Sequence, residues 1–139
     1  MASEHRALVE RLFEAFNRRD LEEIVSLCDP EMAFFPITAE EVGREAPYVG
    51  PEGLDAYLAD VATVWEELLV RATQVDSLGD QLMVRGRVYV RSRERGIRDL
   101  PAAWLWQVRE GRFVRGEVFP DPDQAGKAFA RLRLGDPAL

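Results

Sequence analysis

Apolar and polar positions along this chain follow two periods, and the change between them falls near residue 70. Before that point the spacing is helical. Leu8, Val9, Leu12, Phe13 and Phe16 recur at intervals of three and four and predict a helix to about Arg18, with Ser3 as its cap. "NRRD" interrupts it. Asp20 can cap a short second helix through Leu27, with Glu23 completing a capping box and Leu21, Ile24, Val25 and Leu27 as its stripe. Asp29-Pro30 ends that helix, and a strand is expected over 31–37. After the polar loop "TAEEVGREAPYVG", Pro51 opens a third helix whose broad stripe of Leu54, Tyr57, Leu58, Val61, Val64, Trp65 and Leu68 carries it to about Leu69.

From Val70 onward the period is two. Segments 70–78, 81–93, 98–109 and 112–120 read as strands joined by "GD", "ERG" and "REG" turns, with the last turn tight at Glu110-Gly111. Alternation assigns Val84, Val88, Trp104, Trp106, Val108, Val114 and Val118 to the inner face. Glu117 and Phe119 fall on the opposite face, and Leu105 competes with the tryptophans for burial. A last helix is expected from Asp121 or Asp123 to about Leu132, with 133–139 a frayed tail. Helices first and antiparallel strands afterwards predict one α+β domain over 3–132, with the helices on one face of a curved sheet.

Composition narrows the function classes. The chain has 139 residues, 47% hydrophobic and 31% charged, enough for a core without covalent staples. A net charge of −7 disfavours nucleic acid and anionic membrane as partners. One cysteine, Cys28, and one histidine, His5, leave almost nothing for a disulfide, a metal site or a Ser-His-Asp triad. Cys28 reads as a small buried apolar residue, and His5 as exposed. No apolar run is long enough to span a bilayer and the N-terminus lacks a signal-peptide pattern, so a cytoplasmic location is expected.

Three stretches carry a resemblance: "LFEAFNRRDLEEIVSLCDPEMAFFP" at 12–36, "YVGPEGLDAYLADV" at 48–61 and "VREGRFVRGEVFPDPDQA" at 108–125. In this order and spacing they resemble the nuclear transport factor two-like superfamily, and more narrowly its SnoaL-like domains, which include polyketide cyclases and ketosteroid isomerase-like proteins. The resemblance implies a cystatin-like α+β roll: a cone in which a bent sheet wraps the N-terminal helices around a deep apolar pocket. It also implies a homodimer formed through the outer sheet faces. No cofactor or metal is implied, since enolisation needs only a placed acid–base pair and an oxyanion donor in a dry site.

The resemblance does not carry its chemistry across intact. Ketosteroid isomerases use an Asp base with an oxyanion hole of Tyr and protonated Asp. The matching positions here are Pro36 (with Phe35 beside it) for the base, Leu12 for the Tyr and Trp104 for the protonated Asp. None of these can move a proton. Uncharacterised relatives of the cyclases keep a His at the Trp104 position and a Glu at the Val118 position, and neither is present. The Asp-Arg-Asp set of epoxide hydrolases of this fold would need Arg98 and Asp99 to converge, but adjacent strand residues face opposite sides.

Two acids stay as candidate proton carriers: Asp121, which a helix cap also explains, and Glu117, which a cross-strand ion pair or a dimer contact also explains. Asp60 reads as solvated, and Arg44 and Glu45 lie in a loop over the pocket mouth. The implied pocket wall is drawn from Leu12, Phe16, Phe34, Pro36, Tyr48, Tyr57, Val61, Trp65, Trp104, Trp106 and Val118. The leading expectation is a domain that binds a small apolar molecule, with flat hydrophobic ligands favoured by the tryptophans. A cyclase- or isomerase-type enzyme is the alternative. A third possibility is an interaction module in which Tyr89, Phe113 and Phe119 form an exposed patch.

Overall fold

The helical half of the chain packs against one face of a six-stranded sheet built mostly from the other half. The computed structural model describes residues 2–36, 43 and 47–133. The elements are α1 (Ala2–Arg18), α2 (Leu21–Leu27), β1 (Cys28–Phe35), β2 (Tyr48–Val49), α3 (Gly50–Val64), β3 (Glu67–Leu78), β4 (Gln81–Ser92), β5 (Gly96–Arg109), β6 (Arg112–Phe119) and α4 (Pro122–Arg133). The sheet order is β2-β1-β6-β5-β4-β3, with β1 parallel to β6 and the other neighbours antiparallel. The tail expected over 133–139, Arg44, Glu45 and Ile37 lie outside the described residues, apart from the final helical position Arg133.

Several boundaries differ from the expected ones for identifiable reasons. α1 already includes Ser3, so its start lies before the expected cap. Asp20 does cap α2, accepting from the Glu23 amide at 3.1 Å. The Glu23 carboxylate does not close the box; it accepts from Arg11 at 2.8 Å instead. Asp29-Pro30 does not break the chain but lies inside β1, in the interval where pairing with β6 lapses between Cys28 and Ala33. Proline is tolerated there because no ladder donor is needed. α3 stops at Val64, and Leu68 goes to β3 opposite Val90, where its side chain still reaches the core.

Two motif residues have clear structural work. Asn17 donates to the Val70 carbonyl at 2.9 Å and accepts from the Val70 amide at 2.8 Å, so one side chain satisfies both polar groups of a residue on the sheet's edge strand. Gly50 opens α3 at φ +67°, and a Cβ there would stand 2.6 Å from the Pro30 carbonyl oxygen. Three residues on, a Cβ at Gly53 would stand 2.7 Å from the backbone of Tyr48. The Tyr-x-Gly-x-x-Gly spacing is thus what lets α3 start hard against β1 and β2.

The inner face carries Leu82, Val84, Ala102, Trp104, Trp106 and Val108, all buried in one cluster with the faces of α1, α2 and α3. Trp104 and Trp106 therefore win over Leu105, which is outward and partly covered. β6 departs from simple alternation. Its register against β5 slips between Gln107 and Val108, so Phe113, Gly116 and Val118 face inward and Val114 does not join the core. The expected inward Val114 and outward Phe113 are exchanged by this bulge, because one extra residue reverses every side chain before it. Consequently Phe113 is fully buried and cannot belong to an exposed patch with Tyr89 and Phe119.

The outer face is not bare either. α4 lays Ala125 and Phe129 on Met83 and Ala103, with Leu105 and Phe119 packed alongside.

Candidate functional site

The inner face divides into a sealed end and an open end. At the sealed end aromatic rings fill the space. Phe34 stacks on Trp106 with centroids 5.6 Å apart and planes 9° apart, and meets Tyr57 edge-on at 5.0 Å. Phe16 contacts both Phe34 and Tyr57 at 5.8 Å, and Phe13 lies 4.8 Å from Trp104. Leu12, Val61 and Pro36 are buried, and Val118 is packed against the same cluster. Tyr48 is buried with its ring 5.3 Å from that of Tyr57, and its hydroxyl donates to Asp60 at 2.6 Å. Asp60, expected to be solvated, is thus a buried tyrosine's acceptor; the strand β2 that aims Tyr48 at it has too short a signature to be read from sequence.

At the open end the concave wall carries a cavity of about 630 Å³. Its lining runs along β4 and β5 through Val88, Val90, Leu100 and Ala102, with Leu68 from β3, Trp65 at the end of α3, and Pro101 and Pro120. Arg95 and Arg98 complete it, and the Arg95 guanidinium lies 5.6 Å from the Trp65 ring centroid. The wall is apolar because β4 and β5 continue, toward this end, the same alternation that buries Trp104 and Trp106 at the other. Of the wall residues expected from sequence, Trp65 lines this cavity and the rest make up the sealed end. Leu100 and Ala102 were reachable from Trp104 by counting back in steps of two, and Pro120 from Val118 by counting forward; Leu68 needed the pairing of β3 with β4.

Both candidate acids stand away from this wall. Glu117 is on the outer face, paired with Leu105 and Phe35, and accepts from Arg115 at 3.3 Å. It borders a separate groove of about 440 Å³ between β6 and α4, beside Lys127 and Arg131. Asp121 is exposed and caps α4: its carboxylate accepts from the Asp123 amide at 2.9 Å and its carbonyl from the Gln124 amide at 3.1 Å. No carboxylate lines the cavity among the described residues. Arg98 and Asp99 diverge as strand geometry requires, Arg98 into the cavity and Asp99 to Arg87 on the other side at 2.7 Å.

The chain's lone thiol and imidazole are also accounted for. Cys28 is buried, and burial, reinforced by the neighbouring Asp29 charge, pushes its thiol up to about 12. It is therefore protonated at neutral pH and unreactive. A thiol-specific reagent is expected to label the native protein far more slowly than the urea-unfolded one at pH 8; equal rates would show the site to be open. The raised value also means that the folded state gains stability from Cys28 below its unfolded value near 9, and loses it as pH rises toward 12. His5 is half-buried, not exposed, and its Nδ1 lies 2.9 Å from the Ser77 hydroxyl on β3. Among the described residues no group of three His, Cys, Asp or Glu side chains stands close enough to hold a metal ion. No helix among them is long and apolar enough to cross a membrane.

The sequence profile of the SnoaL-like domain matches residues 9–116. The chain belongs to the SnoaL-like domain family. The match begins in α1 and ends at Gly116, so it takes in the sealed end short of Val118 and the cavity wall short of Pro120. Among solved structures, this SnoaL-like chain is similar to an NTF2-like protein of unknown function from Burkholderia pseudomallei, at 21% identity and TM-score 0.76, covering 89% of this chain and 95% of that one. It is equally similar in shape to TerC, co-crystallised with polyporic acid, at 24% identity and TM-score 0.76, covering 93% and 97%. A protein of ketosteroid isomerase-like fold from Catenulispora acidiphila, in complex with trimethylamine, matches at 14% identity and TM-score 0.70, covering 81% and 83%. These TM-scores establish a shared fold. No curated protein matches the sequence.

Proposed function

We propose that this SnoaL-like domain binds a small, largely apolar molecule in the cavity at the open end of its concave face. The observation that carries the reading is the wall itself. Val88, Val90, Leu68, Leu100 and Trp65 present an apolar surface to a space of about 630 Å³ that the side chains of the described residues leave unfilled. That size falls in the range of small-molecule sites. Two neighbours of the same fold were crystallised with small molecules, which supports the reading. The absence of a carboxylate from the described lining favours binding over acid–base chemistry, since a general base must reach its proton within hydrogen-bond distance.

The test uses a neutral aromatic probe, 2-naphthylmethanol, followed through quenching of tryptophan fluorescence or by calorimetry. Val88 is half-buried and points into the space, so Val88→Trp is expected to fill the cavity and abolish binding with little change in thermal stability. Undiminished affinity in a folded Val88→Trp variant would remove this cavity as the site.

A further inference from the structure

The cavity is apolar except for its arginines, and their surroundings differ. Glu66 and Glu67, which lie between the lining residues Trp65 and Leu68, are engaged by other cations: Glu66 with Arg91 at 2.6 Å and Arg93 at 3.2 Å, and Glu67 with Arg91 at 3.7 Å. On the outer face Asp99 is held by Arg87 at 2.7 Å. Arg98, opposite Val90 on the inner face, makes no ion pair among the described residues and stands in the lining beside Val88 and Leu100. The turn that follows β4 is basic, with Arg93 and Arg95 flanking Glu94.

We infer that the ligand is an amphipathic acid, with a flat apolar body against the valine–leucine wall and an oxyanion head, carboxylate or enolate, held by Arg98. This rests on the reading of the cavity as a ligand site. A guanidinium beside an apolar wall suits such a head because its fork can meet two oxygens at once while the wall takes the apolar body. The chain as a whole carries a net charge of −7, so its long-range field repels anions. A preference for an acid must therefore arise from contact at the mouth, where Arg95 lies over Trp65 and Arg98 makes no ion pair among the described residues.

The experiment compares 2-naphthoate with 2-naphthylmethanol on the wild type, on Arg98→Gln, and on Arg112→Gln, an exposed position at the far β5–β6 turn. The expected result is that the wild type binds the carboxylate about tenfold more tightly than the alcohol, roughly the worth of one charge-assisted contact. Arg98→Gln should erase that preference by weakening the carboxylate about tenfold more than the alcohol, and Arg112→Gln should change neither. Equal binding of the two probes by the wild type, or a preference that survives Arg98→Gln, overturns the acid inference and leaves the cavity reading standing. A preference lost in both variants assigns it to net charge and overturns the inference likewise. Binding of neither probe to the wild type overturns the cavity reading itself.

Discussion

Gly116→Ala is expected to destabilise this protein severely, although it adds one methyl group. A Cβ at Gly116 would fall into the six-membered ring of Trp106, with the Cη2 atom 2.8 Å away and two other ring atoms closer still. Trp106 has nowhere to go. It is 1% exposed, stacked on Phe34 from one side and met by Phe113 at 4.9 Å. The β6 bulge adjoins the glycine, so the strand cannot slide without moving Phe113 out of the core. Overpacking costs about 1–3 kcal/mol and occasionally more, and this rigid ring places the expected loss at the upper end, read as a lower urea midpoint. Shortening the partner should restore part of it: Gly116→Ala combined with Trp106→Leu is expected to be more stable than the sum of the single losses predicts, by at least about 1 kcal/mol. Simple additivity would show that the two residues do not share this space. The indole N–H of Trp106, buried without a partner among the described residues, adds a desolvation cost that a ring without that donor avoids.

Trp104→Ala is expected to do the opposite of Val88→Trp. Trp104 lies at the sealed end, 3% exposed and packed on Phe13. Truncating such a ring removes transfer energy and leaves a void, together about 3–5 kcal/mol. It should lower the melting temperature by roughly 10 °C, at about 2–4 °C per kcal/mol for a chain of this size. Because the residue is not in the cavity lining, the folded variant should bind 2-naphthylmethanol within about threefold of wild type, well under the 1.4 kcal/mol that a tenfold change represents. A Trp104→Ala protein with normal stability and lost binding would return the aromatic cluster to the ligand site. The pair of variants separates two roles that one apolar strand face combines.

The division between those roles follows what sequence could determine alone. Helical spacing located α1 and α2, period-two spacing located β4, β5 and β6, and alternation placed Trp104, Trp106, Val84 and Val88 on the inner face and Glu117 on the outer, all as observed. Those are local properties: they depend on where side chains fall around a helix or across a pleat. The quoted motifs were legible too, and Asn17, Gly50 and Gly53 show why: each answers a contact that only one residue type makes well. What failed was whatever depended on a partner strand. The slip in β6 that exchanges Val114 for Phe113, the continuation of β1 through Asp29-Pro30, and the two-residue β2 that turns Tyr48 onto Asp60 are set by pairing register and by burial across the sheet. The same holds for the cavity. Sequence showed an aromatic, apolar concave face, but whether that face is filled or open depends on how closely α1 and α3 approach it along its length. At one end the rings of Phe16, Phe34 and Tyr57 reach the tryptophans and fill the space. At the other, α3 ends at Val64, and among the described residues Trp65 alone extends it over the cavity that Val88, Val90 and Leu100 line beside Arg98.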